Sequence, residues 1–206
     1  PQMNAKGSIE IRLLTLDDLE DWLKLCNIVD ADSGENGIYF GPYSINDPFP
    51  TDEIRKRTIA RWSKSIDLPN WRKAWGIFHG DEIVGNAQIS AGDLPTNLHR
   101  VDLGIGILKE YRNKVLGKRL LKTIIQWCRK QPSIHWIDLG VFSGNKNIKD
   151  LFEKIGFREI GYKEDCWLID GKSISETLMT INVKYKTQAR FNSRVISLIL
   201  NYSSTH

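Results

Sequence analysis

Long apolar runs are absent from the 206-residue sequence: the longest candidate, residues 195–200, is far shorter than the roughly 18 residues that a membrane-spanning helix needs. The first residues also lack the apolar core of a signal peptide, and Pro1-Gln2 before Met3 resembles a cloning remnant. We therefore expect no membrane partner and a cytoplasmic location.

Cysteine is scarce as well. Cys26, Cys128 and Cys166 are widely spaced, and no C-x-x-C or Cys/His pattern is present, so neither a disulfide framework nor a zinc site is indicated. We expect reduced thiols and no metal.

Charge of one sign is concentrated in two places. The formal net charge is +4, from 29 basic and 25 acidic residues. Residues 109–130 hold eight basic side chains against one acid, and residues 184–206 hold four with none. The remaining sequence is slightly acidic, so a local anion site is a better explanation than a general nucleic-acid surface, and a nucleic-acid partner is not expected.

Hydrophobic periodicity predicts a mixed α/β domain over residues 9–183, after a disordered or non-native stretch at 1–8 and before a basic extension at 184–206 that could form a short helix. Helices are predicted at 15–29, from Thr51, at 116–130 and at 145–155. Strands are predicted at 9–14, 74–78, 83–91, 100–107, 136–141, 157–162, 167–169 and 175–183.

The helix predicted at 116–130 begins in a basic segment. Lys114, Lys118 and Arg119 crowd a helix start whose amide groups and macrodipole already favour negative charge, which makes sense if an anion such as a phosphate binds there. A solvated basic face is the alternative. The segment matches neither a nucleoside-triphosphatase loop nor a dinucleotide fingerprint.

Three segments in order carry a family resemblance: the strand and turn at 101–111, RNKVLG at 112–117, and NKNIKDLFEKIGF at 145–157. They resemble the fourth strand, the [QR]-x-x-G-x-[GA] pyrophosphate loop and the pantetheine-flanking helix of the GNAT N-acetyltransferases. The resemblance is to the branch of ribosomal-protein N-terminal and spermidine acetyltransferases. It implies a twisted mixed sheet of about seven strands flanked by about four helices, with acetyl-CoA as co-substrate, an amine acceptor, and a homodimer as one option.

The resemblance also implies where acetyl-CoA binds. Backbone groups of Ile105, Gly106 and Ile107 would hold the pantetheine. Their N–H groups would also stabilise the negative charge that develops on the carbonyl oxygen during transfer. Asn145 would bond the pantetheine or its neighbouring strand, with a cap on its own helix as the alternative. The pyrophosphate would be held by Arg112, Asn113, Lys114, Val115, Leu116, Gly117 and Lys118.

Two residues depart from the family pattern. Val115 replaces the first glycine of the loop, where glycine would allow close approach and positive φ. Phe152 replaces the tyrosine that often serves as general acid, and Tyr111 and Tyr162 are candidate substitutes. These departures leave a catalytically degenerate acyl-CoA-binding module as the alternative function.

Asp102 is the candidate general base, because it aligns with an acidic position on the family's fourth strand. On that strand Asp102, Gly104 and Gly106 share one face, and two glycines beside a carboxylate leave room for a ligand. A structural ion pair with Arg100, Arg112 or another cation is the alternative, and Glu110 is a weaker candidate for the base.

The segment 30–50 is long, aromatic and acidic, which is typical of a binding loop. Asp30, Asp32, Glu35 and Asp47 would suit a cationic amine, and Tyr39, Phe40, Tyr43 and Phe49 could stack on it. The alternative is a solvated loop with aromatic side chains in the core. A protein N-terminus, a polyamine, an aminoglycoside or another small amine would all fit the sequence.

Overall fold

The computed structural model describes residues 7–44, 47–112 and 114–184, with the Lys114 side chain left out. The predictions for the first residues and for the basic extension therefore lie almost entirely outside the described residues, and so does Asn113. None of the described helices is long and apolar enough to cross a membrane.

A seven-stranded mixed sheet forms the centre of the protein, which confirms the predicted fold class. The sheet order is β1-β2-β3-β4-β5-β7-β6, and every neighbouring pair is antiparallel except β4 and β5. The strands are β1 (Ile9–Leu13), β2 (Arg72–His79), β3 (Glu82–Ala91), β4 (Arg100–Ile107), β5 (Trp136–Phe142), β6 (Arg158–Ile169) and β7 (Lys172–Asn182).

The two strands predicted at 157–162 and 167–169 are one strand, β6, so that prediction was wrong. The pairing of β6 with β7 shifts register between Lys163 and Trp167. Asp165 has a φ of 47° inside this interval. The break in sequence pattern therefore marks an irregularity within a strand and not a strand end.

Four α-helices flank the sheet: α1 (Leu19–Ala31), α2 (Thr51–Trp62), α3 (Lys114–Lys130) and α4 (Lys146–Ile155). Helix α3 starts two residues earlier than predicted. A Cβ added to Gly106 would meet Val29 of α1, whereas one added to Gly117 of α3 would meet Ile107. Because Gly106 and Ile107 point to opposite faces of β4, α1 and α3 cover opposite faces of the sheet.

The core consists mainly of apolar side chains from the sheet, α1 and α3. Helix α3 contributes Leu120, Leu121, Ile124 and Cys128, all almost fully buried. Cys26, Cys128 and Cys166 are free thiols, as expected. Within the described ranges, no group of three or more His, Cys, Asp or Glu side chains is placed to hold a metal ion.

Candidate active site

The parallel pair β4–β5 separates partway along its length. Pairing joins only Arg100, Val101 and Asp102 of β4 to β5 residues 136–138. Residues 103–107 continue to pair with β3 on the other side. The β5-facing edge of this half of β4, which contains the predicted Ile105, Gly106 and Ile107, is therefore available to bond an extended ligand chain.

Helix α3 begins beside this open edge. A Cβ on Gly117 would lie 3.3 Å from Leu151 Cδ2 and 3.8 Å from Ile107 Cδ1, so glycine lets α3 approach both α4 and β4 closely. Val115 lies in the first helical turn with 65% of its surface exposed. Its backbone is helical, so the position does not need a positive φ. Valine can therefore replace glycine here without that backbone strain.

Not all the predicted anion-binding residues have the same surroundings. Leu116 is buried, whereas the side chain of Lys118 is exposed. Arg112 is committed to protein groups: its Nε donates to the Ile107 carbonyl at 2.7 Å, and Nη2 donates to Asp32 Oδ2 at 2.5 Å. Its guanidinium also lies 4.9 Å from the centre of the Phe40 ring. Arg112 thus ties the segment 30–50 to the end of β4.

Asn145 directly precedes α4, but its side chain makes no capping hydrogen bond. Its Nδ2 instead donates to the carbonyls of Tyr39 at 2.7 Å and Phe142 at 3.3 Å. The cap considered from the sequence is therefore not formed, and Asn145 holds the segment 30–50 against the end of β5.

Asp102 lies where β4 and β5 separate, opposite Ser90 of β3 and Asp138 of β5. Arg100 bonds Asp138 through two contacts of 2.7 and 2.6 Å, and Arg112 bonds Asp32, so neither arginine forms the ion pair considered for Asp102. No hydrogen bond or ion pair joins the Asp102 carboxylate to the described residues.

This isolation affects the protonation of Asp102. Although part of the residue reaches solvent, desolvation raises the pKa of its carboxyl group, and the negative charge of Asp138 raises it further. Arg100 and Arg61 act in the opposite direction. A carboxylate with a raised pKa and no structural partner has the properties of a general base.

A cavity of about 330 Å³ opens on the face of β4 that carries Gly104 and Gly106. Its walls come from α1, the segment 30–50, α2, β2 and β3. The lining residues are Trp22, Cys26, Val29, Asp30, Phe40, Gly41, Tyr43, Phe49, Ile54, Arg57, Arg72, Asn86, Gln88, Gly104, Ile105 and Gly106. A Cβ on Gly106 would approach Val29 Cγ1 to 3.0 Å, so that glycine keeps the floor open.

The sequence did not identify Arg57, Arg72, Asn86 or Gln88 as site residues. They come from α2, β2 and β3, and no local motif surrounds any of them. The one usable signal was the alternation of side chains along β3. It places Asn86 and Gln88 on one face of the strand, where they lie opposite Gly106 and Gly104.

The acids of the segment 30–50 are divided between two tasks. Asp30 lines the cavity, and desolvation raises its pKa. Asp32 and Glu35 instead form ion pairs with Arg112 and Lys109 on the loop after β4. Asp47 is exposed and does not line the cavity.

The aromatic residues of the same segment are divided in a similar way. Phe40, Tyr43 and Phe49 line the cavity, whereas Tyr39 is buried in a separate cluster with Ile169 and Ile174. The aromatic side chains of this segment therefore lie partly on the cavity wall and partly in the core.

The hydroxyl groups considered as general acids lie outside the cavity wall. Tyr111 Oη is 2.8 Å from His79 Nδ1, and Tyr162 is exposed on β6. Phe152 is 3% exposed and packs edge-on against Phe157. Cys26 does line the cavity, but burial raises its pKa to about 12, so the thiol stays protonated at neutral pH and is a poor nucleophile.

Comparison with known proteins agrees with this geometry. Residues 37–157 match the family described as "Acetyltransferase (GNAT) family". The chain is 30% identical over 118 residues to the [Ribosomal protein uS5]-alanine N-acetyltransferase of Escherichia coli K12, a match that spans 56% of the chain and 60% of that protein. It is 24% identical over 132 residues to the L-amino acid N-acetyltransferase AaaT of the same organism, spanning 64% of the chain and 77% of that protein.

The fold also matches an acetyltransferase from Salmonella typhimurium that was solved with acetyl-CoA. The TM-score is 0.70 at 15% identity, over 91% of this chain and 99% of that one.

Proposed function

Because the chain belongs to the GNAT family of N-acetyltransferases, we propose that it moves the acetyl group of acetyl-CoA to the amine of a protein N-terminus or of a small molecule. The observation that carries this proposal is the position of Asp102, a carboxylate without a partner among the described residues, where β4 and β5 separate and two residues before Gly104 on the cavity wall. The names of the two relatives, one acting on a ribosomal-protein alanine and the other on amino acids, support an amine acceptor.

The residues around the open edge of β4 fit acetyl-CoA, which would supply a thioester carbonyl to the acceptor. Ile105, Gly106 and Ile107 would bond the pantetheine through their backbone groups. The start of α3, with Gly117 and Lys118, would face the pyrophosphate, because helix N-termini favour anions. Asn145 and Arg112 would shape the site by holding the segment 30–50 in place.

Asp102 would accept the proton of the acceptor ammonium, directly or through water, because only the neutral amine has a free electron pair. The amine nitrogen then forms a bond to the carbonyl carbon, the carbon–sulfur bond breaks with its electron pair going to the sulfur, and CoA leaves as a thiolate that takes up the second proton lost by the nitrogen. Backbone N–H groups of the open β4 edge would stabilise the charge on the carbonyl oxygen. The protonated thiol of Cys26 favours this direct transfer over an acyl-enzyme.

The test is CoA release from acetyl-CoA with a panel of peptides, amino acids and polyamines, together with acetyl-CoA binding measured by calorimetry. We expect binding and acceptor-dependent release. Tight binding without transfer to any acceptor would contradict the proposal.

The buried, hydroxyl-free Phe152 favours a second candidate, a degenerate acyl-CoA-binding module. That candidate predicts binding without turnover, and it predicts that Val115→Gly tightens binding without creating activity.

We also propose a cytoplasmic location, and the family resemblance leaves a homodimer as one option. The three free thiols support the former. Sedimentation velocity of the full chain tests the latter.

A further inference from the structure

Arg72 differs from the other arginines that pack near the sheet. Its Nε is shielded from solvent and has no hydrogen-bond partner. Within the described residues, its side chain forms no hydrogen bond and no ion pair. Arg12, Arg100 and Arg112, in contrast, are paired with Asp18, Asp138 and Asp32. Arg61 donates to the carbonyls of Asn70 and Ala91.

The surroundings of Arg72 oppose its positive charge. Burial, followed by the charges of the nearby Arg61 and Arg57, lowers its pKa to about 10, with Cys26 and Tyr43 acting in the other direction. An arginine nevertheless stays protonated at neutral pH. Arg72 is partly buried, with its Nε fully shielded, and a cation in such a position without a partner is costly. Such groups in native proteins usually have an explanation in function.

The charge of the cavity points to that explanation. Two guanidinium groups, Arg57 and Arg72, share the wall with a single carboxylate, Asp30. Asp32 and Glu35, which the sequence suggested for binding a cationic amine, are neutralised by Arg112 and Lys109. The cavity therefore suits a ligand that carries a negative group better than it suits a polyamine.

The register of the sheet places this cation relative to the proposed base. Arg72 lies opposite Ser90, and Ser90 lies opposite Asp102. The three side chains are therefore on the same face of the sheet, with the backbones of Arg72 and Asp102 about 10 Å apart. A small molecule with an amine at one end and an anionic group at the other can reach both side chains.

We propose that the acceptor is an amine that also carries a carboxylate, and that Arg72 binds this carboxylate within the cavity. The inference deepens the proposed function, and it rests on that function for the transfer of the acetyl group from acetyl-CoA to an amine. A guanidinium holds a carboxylate through two parallel hydrogen bonds, which would supply the partner that Arg72 lacks. The cavity volume of about 330 Å³ suits a free amino acid, and the apolar lining from Trp22, Phe49 and Ile54 suits an apolar side chain.

The experiment compares phenylalanine, leucine and methionine with their carboxamides, which keep the amine and lose the carboxylate. Acetylation is measured as kcat/KM and binding as a thermal shift without acetyl-CoA, for the unmodified protein and for Arg72→Gln. We expect the free acids to be preferred, and Arg72→Gln to reduce the preference by roughly 10- to 100-fold. The amine of a carboxamide loses its proton more readily, so intrinsic reactivity acts against the expected preference.

Two controls make the result specific. Arg55→Gln alters an arginine on the outer side of α2 that pairs with Glu20 and Asp52, and it should keep the preference. The affinity of Arg72→Gln for acetyl-CoA should match that of the unmodified protein, and its melting temperature should not fall, because an unpaired buried cation is removed.

A second pair of acceptors distinguishes the source of the carboxylate. Amidated peptides that begin Ala-Asp and Ala-Asn differ only in a side-chain carboxylate. An Arg72-dependent preference for Ala-Asp over both Ala-Asn and the free amino acids supports the carboxylate site and identifies an acidic peptide as its source.

The proposal is overturned if acids and amides bind and react equally, if neither binds, or if Arg72→Gln keeps the preference. Transfer without a preference for acids would leave the proposed function standing and refute this inference. Arg72-dependent binding of acids without any transfer would refute the proposed function and leave the carboxylate site at Arg72 standing.

Discussion

The open edge of β4 and the neighbouring cavity meet on the same strand, yet they are built from different kinds of sequence. Most of the edge and the helix start beside it come from one continuous stretch, residues 100–118. The cavity draws on α1, the segment 30–50, α2, β2, β3 and β4. The proposed acetyl-CoA site is therefore encoded mostly by one local stretch, whereas the proposed acceptor site depends on contacts between distant parts of the chain.

Asp102 and Asp138 offer a second comparison, between two neighbouring carboxylates with different surroundings. They lie opposite each other on β4 and β5. Asp138 accepts hydrogen bonds from Arg100 and Thr180, whereas Asp102 has no such partner among the described residues. Neighbouring carboxylates can therefore serve structure and chemistry separately, which mutation of each should reveal.

The largest expected effect is that of Asp102→Asn on turnover. Removing a general base lowers kcat by roughly 10²- to 10⁴-fold. Because burial raises the pKa of Asp102, activity of the unmodified enzyme should fall on acidification at a higher pH than an ordinary aspartate would give, and the variant should lose this step. Measured kcat across pH tests both statements, and an unchanged profile would remove Asp102 as the base.

Asp102→Asn should also raise stability at neutral pH. A carboxyl group with a raised folded-state pKa stabilises the fold most below its unfolded pKa of about 3.9, and this contribution is lost as pH rises through the folded pKa. The amide removes the unfavourable ionised form, so the melting temperature at pH 7 should increase. Asp138→Asn is the comparison variant: it removes the charged partner of Arg100, which keeps its hydrogen bond to Thr180, and should lower the free energy of unfolding by about 1–3 kcal/mol.

A smaller effect is expected where Arg112 joins the two regions. Arg112→Ala removes the bonds to the Ile107 carbonyl and Asp32, so we expect the acetyl-CoA Kd and the acceptor KM to rise together by about tenfold, the equivalent of one such bond. Calorimetry and initial rates measure the two constants.

Asp32→Asn separates the roles of Arg112. If Arg112 only holds the segment 30–50, Asp32→Asn should give similar changes in both constants. A rise in the acetyl-CoA Kd for Arg112→Ala alone would instead indicate direct contact with the phosphates. Lys109→Ala is the control, because its pair with Glu35 is exposed to solvent and should contribute little.

The sequence predicted the fold well because its signals are local. Apolar periodicity located the four described α-helices and most strands. The turn between β6 and β7 consists of Asp170 and Gly171, residue types that tolerate the positive φ values of 50° and 74° observed there. It failed at β6, where a strand continues through an irregularity at Asp165 that has no distinctive composition.

The sequence described the acceptor side less well for a physical reason. It assigned Asp32 and Glu35 to a ligand because both are acidic and lie in a long loop, but their cationic partners come from another part of the chain, about 75 residues away. Arg72 gave no signal at all. Whether a charged residue is paired or free depends on tertiary neighbours, which no local pattern reports.

The smallest expected effect comes from the two glycines on the shared face of β4. A Cβ at Gly104 would make ordinary contact with Gln88, at 3.6 Å, whereas one at Gly106 would lie 3.0 Å from Val29 Cγ1. Gly106→Ala should therefore displace α1 slightly and cost about 1 kcal/mol of stability, while Gly104→Ala should be close to neutral. Since Val29 also lines the cavity, Gly106→Ala should raise the acceptor KM more than the acetyl-CoA Kd, and equal changes in both constants would show that the edge and the cavity do not act separately.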